Sequence, residues 1–469
     1  MEEKTIYKSN LDNKLKADEK IRKSLMYSIL DGTFYSTMVG IGESFFSAFA
    51  VFLKANNIQL GLLGSLPQTL GSISQLFSNK LLKLFKSRKR FVCINAFLEA
   101  LMYIPIILTF FFGKFRIYTL ILFVCIYWIF GSILNPAWNS WVGDLVNEKK
   151  RGAYFGKRNK ISGMASFISL LIGGFILQNF TDGVKTQYTG FVIIFILALI
   201  ARIFSFIFLT KKYEPSYNVL PEAEFSFIEF LKKARFRNFG LFVFYLSLMN
   251  FSVYIAAPFF VAYMLYDLKL SYLGYTILIA IPLIVKYMSM PIWGKASDNY
   301  GTKKILSLTG FLMPLGPILW IFSSDFYYLG LVQAFSGFTW AGFEIASFNF
   351  IFDTTSPEKR ATCVAYYNVL NGIGIIFGSL LGGMIVMYNN VFWSKYLLVF
   401  LISGILRYQI SIIFIPKLKE AREIERIPYH KLFLKVISTM PTMGLVYDLI
   451  AFRKKNVINV KKIKIKLKR

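Results

Sequence analysis

Twelve stretches of mostly apolar residues divide this chain, each close to or above the roughly 20 residues that a helix needs to cross a bilayer. They run over about 25–53, 58–79, 91–112, 116–142, 153–179 and 188–210, then over about 238–266, 271–293, 304–323, 326–352, 361–388 and 391–415. In hydrocarbon every backbone N–H and C=O must be satisfied within the protein, so only helices and closed barrels span a membrane. Stretches this long predict helices. The chain therefore reads as an all-α polytopic membrane protein, with 12 transmembrane helices in two pseudo-symmetric six-helix bundles. Composition agrees, since 55% of the 469 residues are hydrophobic and only 17% are charged, against about 25% charged in soluble domains. An ordinary soluble protein is excluded. So is a disordered basic nucleic-acid binder, which would be poor in apolar residues.

The pattern predicts a polar tail over 1–24, a first bundle over 25–210, a connector over 211–237 containing Pro215 and Pro221, a second bundle over 238–415 and a basic tail over 416–469. The first apolar run is too long for a cleaved signal segment. Cys93, Cys125 and Cys363 lie inside apolar stretches and form no disulfide framework. The net charge of +29 is distributed by side, with 45 of the 54 Lys and Arg in the two tails and in the even-numbered loops with their adjoining helix ends. By the positive-inside rule both termini and the connector are cytoplasmic, in the plasma membrane. In the last tail, Tyr429 to Phe452 reads as an interfacial helix and Arg453 to Arg469 as a basic segment on anionic lipid. Nucleic acid is the poorer partner, because this tail follows directly on a spanning segment.

The two halves repeat. Asp144 and Arg151 share an Asp-x6-Arg spacing with Asp353 and Arg360. At the same offset of 209 residues Asn159 matches Asn368, Gly163 matches Gly372, and Gly173-Gly174 matches Gly382-Gly383. Gly374, Gly378 and Gly382 form a ladder of small residues, with Ala165, Ser169 and Gly173 in the matching places. Small residues at this spacing let helices approach closely. So many coincidences over one segment indicate internal duplication.

The loop between the eighth and ninth stretches reads Gly294-Lys295-Ala296-Ser297-Asp298-Asn299-Tyr300-Gly301-Thr302-Lys303-Lys304. It resembles the Gly-x-x-x-Asp-basic-x-Gly-basic-basic signature of the major facilitator superfamily, with Asn299 and Thr302 where the signature has basic residues. The first-half loop, Ser78 to Arg90, keeps only the positive end of that pattern, at Arg88, Lys89 and Arg90. The Asp-x6-Arg pairs also resemble family motifs. Physically, a carboxylate at such a turn can sit against the positive end of a neighbouring helix. Asp298, and the pairs Asp144 with Arg151 and Asp353 with Arg360, are thus expected to latch helix ends, the alternative being solvated loop charges. The resemblance implies a central path lined by the first, fourth, seventh and tenth helices. It places Glu43, Asn135 and Glu344 near that path, with Asn250 and Tyr254 as further substrate contacts.

A charged side chain inside a span costs at least about 2.5–3.5 kcal/mol and needs a reason. Glu99 and Arg202 lie at similar depths in the third and sixth stretches, which predicts a buried structural ion pair. Arg407 is near the matching place in the second half, where Pro314 stands instead of an acid, so backbone carbonyls or snorkelling are expected for it. Glu344 and Glu43 are candidates to carry a coupling proton or to contact a cationic substrate. Lys286 either balances Glu344, attracts an anionic substrate, or snorkels to the interface. Asp31 reads as an interfacial or capping residue. Trp128, Trp138, Trp141 and Trp340 are candidates for the cavity wall or for packing.

No Gly-x4-Gly-Lys-Ser/Thr loop occurs, so ATP-driven transport by this chain is unsupported. The single histidine, His430, lies in the tail, so neither a metal site built on histidine nor a Ser-His-Asp centre is expected in the membrane. With no cofactor motif and no catalytic constellation, a non-enzymatic secondary transporter of a small solute, working by alternating access, is the leading expectation. An integral-membrane lipid-modifying transferase and a non-transporting sensor on the same fold are the competing ones.

Overall fold

A computed structural model describes residues 2–146, 151–215, 232, 238–355, 357–389 and 391–420. Each of the twelve apolar stretches falls on a helical rod, and no strand occurs among the described residues. The rods of the first half are α1 (Glu2–Ile41, resuming as Phe46–Phe52), α2 (Asn57–Ser74), α3 (Arg88–Phe111), α4 (Gly113–Leu145), α5 (Arg151–Gln178) and α6 (Val184–Thr210). Those of the second half are α7 (Asn238–Asp267), α8 (Tyr272–Tyr300), α9 (Thr302–Leu312, resuming as Leu315–Leu319), α10 (Phe326–Thr354), α11 (Pro357–Tyr388) and α12 (Leu397–Lys417). Among the described residues, eight helices, six of them α3 to α8 and two in α11 and α12, are by themselves long and apolar enough to cross a membrane.

The rods begin where local chemistry favours it. Asn56 and Gln59 form a reciprocal capping box at the start of α2, and Ser87, Ser271 and Asp325 cap α3, α8 and α10 through side-chain oxygens. Gly301 separates α8 from α9 at φ +91°, a conformation that L side chains rarely adopt. The polar stretch 2–24 is helical and continuous with α1. That rod then breaks near Gly42, and Glu43–Phe45 form one turn of 3-10 helix before it resumes. A break of this kind is a common mark of a site within a spanning helix.

Packing repeats between halves. Helix α1 packs on α5 and α6, α2 on α4, and α3 on α4 and α6; correspondingly α7 packs on α11 and α12, α8 on α10, and α9 on α10 and α12. The halves meet through α2 with α11 and α5 with α8, which is again a symmetric pair. The glycine ladder explains one contact. A Cβ at Gly374 would lie 2.6 Å from the Ser247 carbonyl oxygen, and at Gly378 and Gly382 it would overlap the Phe251 and Ile255 oxygens, all three on α7. In the first half Gly40 of α1 makes the corresponding close approach, against Ser166 and Ser169 of α5.

Among the described residues, the hydrogen bonds found between the halves lie from the middle of the rods toward the end opposite the chain termini. The Ser379 and Ser65 hydroxyls are 2.6 Å apart, Tyr266 donates to the Val51 carbonyl at 2.7 Å, and Tyr396 reaches Asn57 at 3.4 Å. The three cysteines are buried and free. The stretch from Tyr429 to Phe452, the basic segment after it and most of the connector lie outside the described residues.

Candidate functional site

A cavity of about 510 Å³ lies among α1, α4, α5, α6 and α8. It reaches from Glu43, at the break in α1, down to Asp31, Trp138, Asn139 and Arg158 toward the end that carries the termini. Tyr35, Asn135, Asn159, Ser162 and Tyr287 are also on its wall. The lining is thus rich in hydroxyl, amide and aromatic groups. Such walls orient a small polar solute by a few hydrogen bonds and by ring stacking.

Two of the predicted contacts, Glu43 and Asn135, face this cavity. The Tyr127 hydroxyl donates to Glu43 Oε2 at 2.9 Å, so one carboxylate oxygen is held. Asn135 is exposed on α4, directly before Pro136.

A line of charges runs along the wall. Arg202 Nε donates to Glu99 Oε2 at 3.0 Å, and both side chains are almost fully buried. A Cβ at Gly131 would lie 2.6 Å from Glu99 Oε1, so that glycine makes room for the carboxylate. Arg202 also donates to Ser205 at 2.8 Å, and Ser205 donates to Asp31 Oδ1 at 2.8 Å. The other oxygen of Asp31 lies 3.6 Å from Lys212 Nζ and 3.9 Å from Arg158, and accepts from the Trp138 indole at 3.4 Å. Two cations approach Trp138, with Arg158 4.4 Å and Lys212 5.3 Å from its ring. Lys212 also sits 4.5 Å from the Trp141 ring. Burial pushes the Lys212 ammonium down to about 8, with Asp31 acting in the opposite sense.

Asp31 therefore corrects its reading as an interfacial residue: it is 3% exposed and forms the hub of this network. Its hydrogen-bond partner, Ser205, carries no charge and comes from a distant stretch, so spacing did not reveal it. Arg158 and Lys212 counted as loop charges in sequence, yet both turn inward. Of the four tryptophans, Trp138 lines the cavity, while Trp141 is buried and donates to the Tyr213 carbonyl at 2.9 Å. Trp128 packs against the core and Trp340 against Phe343.

Other candidates gather elsewhere. Lys286 Nζ is 3.1 Å from Glu344, so of the three readings the structure has the ion pair. Tyr254 donates to Gln68 of α2, across the halves, and Asn250 hydrogen-bonds Tyr367. Arg407 is buried, and its Nε has no hydrogen-bond partner among the described residues.

At the ends of the rods, Asp144 is held by Arg88 rather than seen with Arg151, whose side chain lies outside the described residues. Arg88 is fully buried and donates to Asp144 at 2.6 Å and to Ser140 at 3.0 Å. In the second half Thr302 donates to Asp353 at 2.8 Å, and the Arg360 side chain is likewise outside the described residues. The Lys89 amide donates to Glu214 at 3.2 Å and the Lys303 amide to Glu420 at 2.8 Å, a matching acid cap in each half. Asp298 is exposed, a Cβ at Gly294 would meet nothing within 4 Å, and Lys304 is half-buried at the start of α9.

Comparison with known proteins gives the same picture. The family model of the Major Facilitator Superfamily matches residues 26–260 and 242–452. An uncharacterized MFS-type transporter, YfiU of Bacillus subtilis (strain 168), is 28% identical over 159 residues, covering 33% of this chain and 30% of that protein. The class B tetracycline resistance protein of Escherichia coli is 34% identical over 93 residues, covering 20% and 23%. The chain thus spans less than a third of the length of these curated relatives. The structure of the nucleoside transporter NupG superposes with a TM-score of 0.63 at 17% identity, covering 85% of this chain and 99% of that one. A D-xylose-proton symporter gives 0.65 at 12% identity, covering 86% and 99%. Matched by the family model across both halves, the chain belongs to the Major Facilitator Superfamily.

Proposed function

We propose that this chain is a secondary transporter that moves a small polar solute by alternating access, without enzymatic chemistry. The observation that carries this reading is the polar cavity that holds Glu43 at its inner end, while the hydrogen bonds between halves gather toward the opposite end. On the positive-inside reading, with both termini cytoplasmic in the plasma membrane, this arrangement is the inward-facing one. Rocking of the halves about α2–α11 and α5–α8 then exposes the cavity to the other side.

Glu43 is the proposed coupling site. One of its oxygens is held by Tyr127, and as a cavity-lining carboxyl it is placed to take a proton or a cationic group of the solute. Asn135 supplies a hydrogen bond to the solute from α4. Lys286 and Glu344 neutralise each other in this state, and separating them would offer two charges to the solute on the second half. Asn250 and Tyr254 act at the α2–α7 contact. Glu99 with Arg202 holds the first half together. Asp144, Arg151, Asp353, Arg360 and the 294–304 loop, through Gly294, Asp298, Gly301, Lys303 and Lys304, serve as latches at the cytoplasmic end. The basic tail rests on anionic lipid.

The test is uptake into proteoliposomes of a panel of small polar solutes, with and without an imposed pH gradient. Accumulation driven by the gradient supports the reading. Failure of every solute to move under any ion gradient contradicts it.

A further inference from the structure

A second cavity, of about 600 Å³, opens at the termini end of the first half, between the turn before α3 and the end of α6. We propose that it is a binding site for the headgroup of an anionic phospholipid. Lys86, Lys89 and Arg90 line it, together with Ser87, Thr210 and Glu214. Among the described residues Glu214 is the one carboxylate on the wall, and its oxygens are hydrogen-bonded. It accepts from the Ser87 hydroxyl at 2.7 Å and the Lys89 amide at 3.2 Å, and the buried Arg88 guanidinium lies 3.9 Å away. No ion pair neutralises Lys86, Lys89 or Arg90 among the described residues. Lys89 Nζ donates to the Lys212 carbonyl at 2.9 Å, which fixes its position but leaves its charge. Lys86 and Arg90 are exposed. Three cations against the single Glu214 carboxylate leave the wall of this concavity net positive, which suits a phosphate-bearing group.

The surface beyond the cavity argues for a lipid over a soluble phosphate. Arg90, Ile94 and Phe97 succeed one another along one face of α3. Ile94 is 44% exposed and Phe97 38% exposed. The Phe97 ring packs, tilted by 46° and 5.3 Å away, against Phe206 of α6, one turn before Thr210. The basic mouth is thus followed along α3 by exposed apolar side chains, on the part of the helix that enters the bilayer. That sequence of charge then hydrocarbon matches a phospholipid lying along the helices. Basic pockets between spanning helices on the cytoplasmic side suit anionic headgroups in this way.

The site is independent of the transported solute. The test uses the full-length protein in nanodiscs containing phosphatidylglycerol or phosphatidylcholine with a photoactivatable group on the acyl chain, followed by peptide mapping. Phosphatidylglycerol should label the peptides carrying Ile94, Phe97 and Phe206 several-fold more than phosphatidylcholine. Lys86→Gln with Arg90→Gln should lower that labelling by roughly tenfold. Arg90→Gln alone should lower it less, and Lys83→Gln, an exposed lysine off the cavity wall, should leave it unchanged. Added inorganic phosphate should not displace the label. Equal labelling by both lipids, full labelling in the charge-neutralised variant, or displacement by inorganic phosphate would each overturn the proposal.

Discussion

Arg202 of α6 holds Glu99 of α3 at 3.0 Å, with both side chains almost fully removed from solvent. Removing either partner strands a buried charge, which typically costs about 3–5 kcal/mol, whereas removing both leaves no net charge behind. Glu99→Gln and Arg202→Gln should each lower thermal stability in detergent strongly. The double variant should recover much of the loss. Additive losses would mean that the two groups do not act as a pair.

The ladder on α11 makes a second prediction, about packing. Gly378→Ala places a methyl against the Phe251 carbonyl oxygen, a backbone atom that cannot swing away, and should destabilise by roughly 1–3 kcal/mol. Gly156→Ala on α5 meets nothing within 4 Å and should be neutral or stabilising by up to about 1 kcal/mol. Thermal unfolding of the two variants side by side checks the contrast.

Lys212 predicts a pH dependence. Its ammonium is pushed from 10.5 down to about 8 by burial, so from about pH 8 to 10.5 the unfolded chain holds a proton that the folded protein has released. Stability contributed by this group therefore rises with pH across that window, and below it the cost of the buried charge is fully present. Wild-type melting temperature, measured relative to Lys212→Met, should climb between pH 8 and 10. A difference that stays flat with pH would contradict the burial of a titrating ammonium there.

Ser65 and Ser379 meet across the two halves, with hydroxyl oxygens 2.6 Å apart. Cysteines at both positions should cross-link under mild oxidation and hold the halves in the arrangement seen here. Uptake should then stop and return on reduction. Full uptake in the cross-linked protein would contradict movement between the halves at α2 and α11.

Much of the architecture is legible in the sequence because spanning helices declare themselves by length and hydropathy, and because the repeat aligns Asp144 with Asp353. The Glu99–Arg202 pair was legible for a related reason: two opposite charges at equal depth in one half have few other partners. Asp31 was not. It stands near a polar stretch, and the groups that bury it, Ser205, Trp138 and Lys212, come from segments far away in the chain. Arg88, which donates to Asp144 from 56 residues upstream, was not legible for a similar reason. Glu43 was visible as a charge in an apolar run, but the break in α1 that turns it toward the cavity depends on packing around Gly42. A Cβ at Gly42 would lie 2.5 Å from both Ala198 and the Tyr103 hydroxyl.

The most direct measurement compares driven uptake with exchange in proteoliposomes for Glu43→Gln. If Glu43 carries the coupling proton through the cavity, uptake driven by a pH gradient is lost while solute exchange between the two sides persists. Undiminished driven uptake by Glu43→Gln would contradict the account.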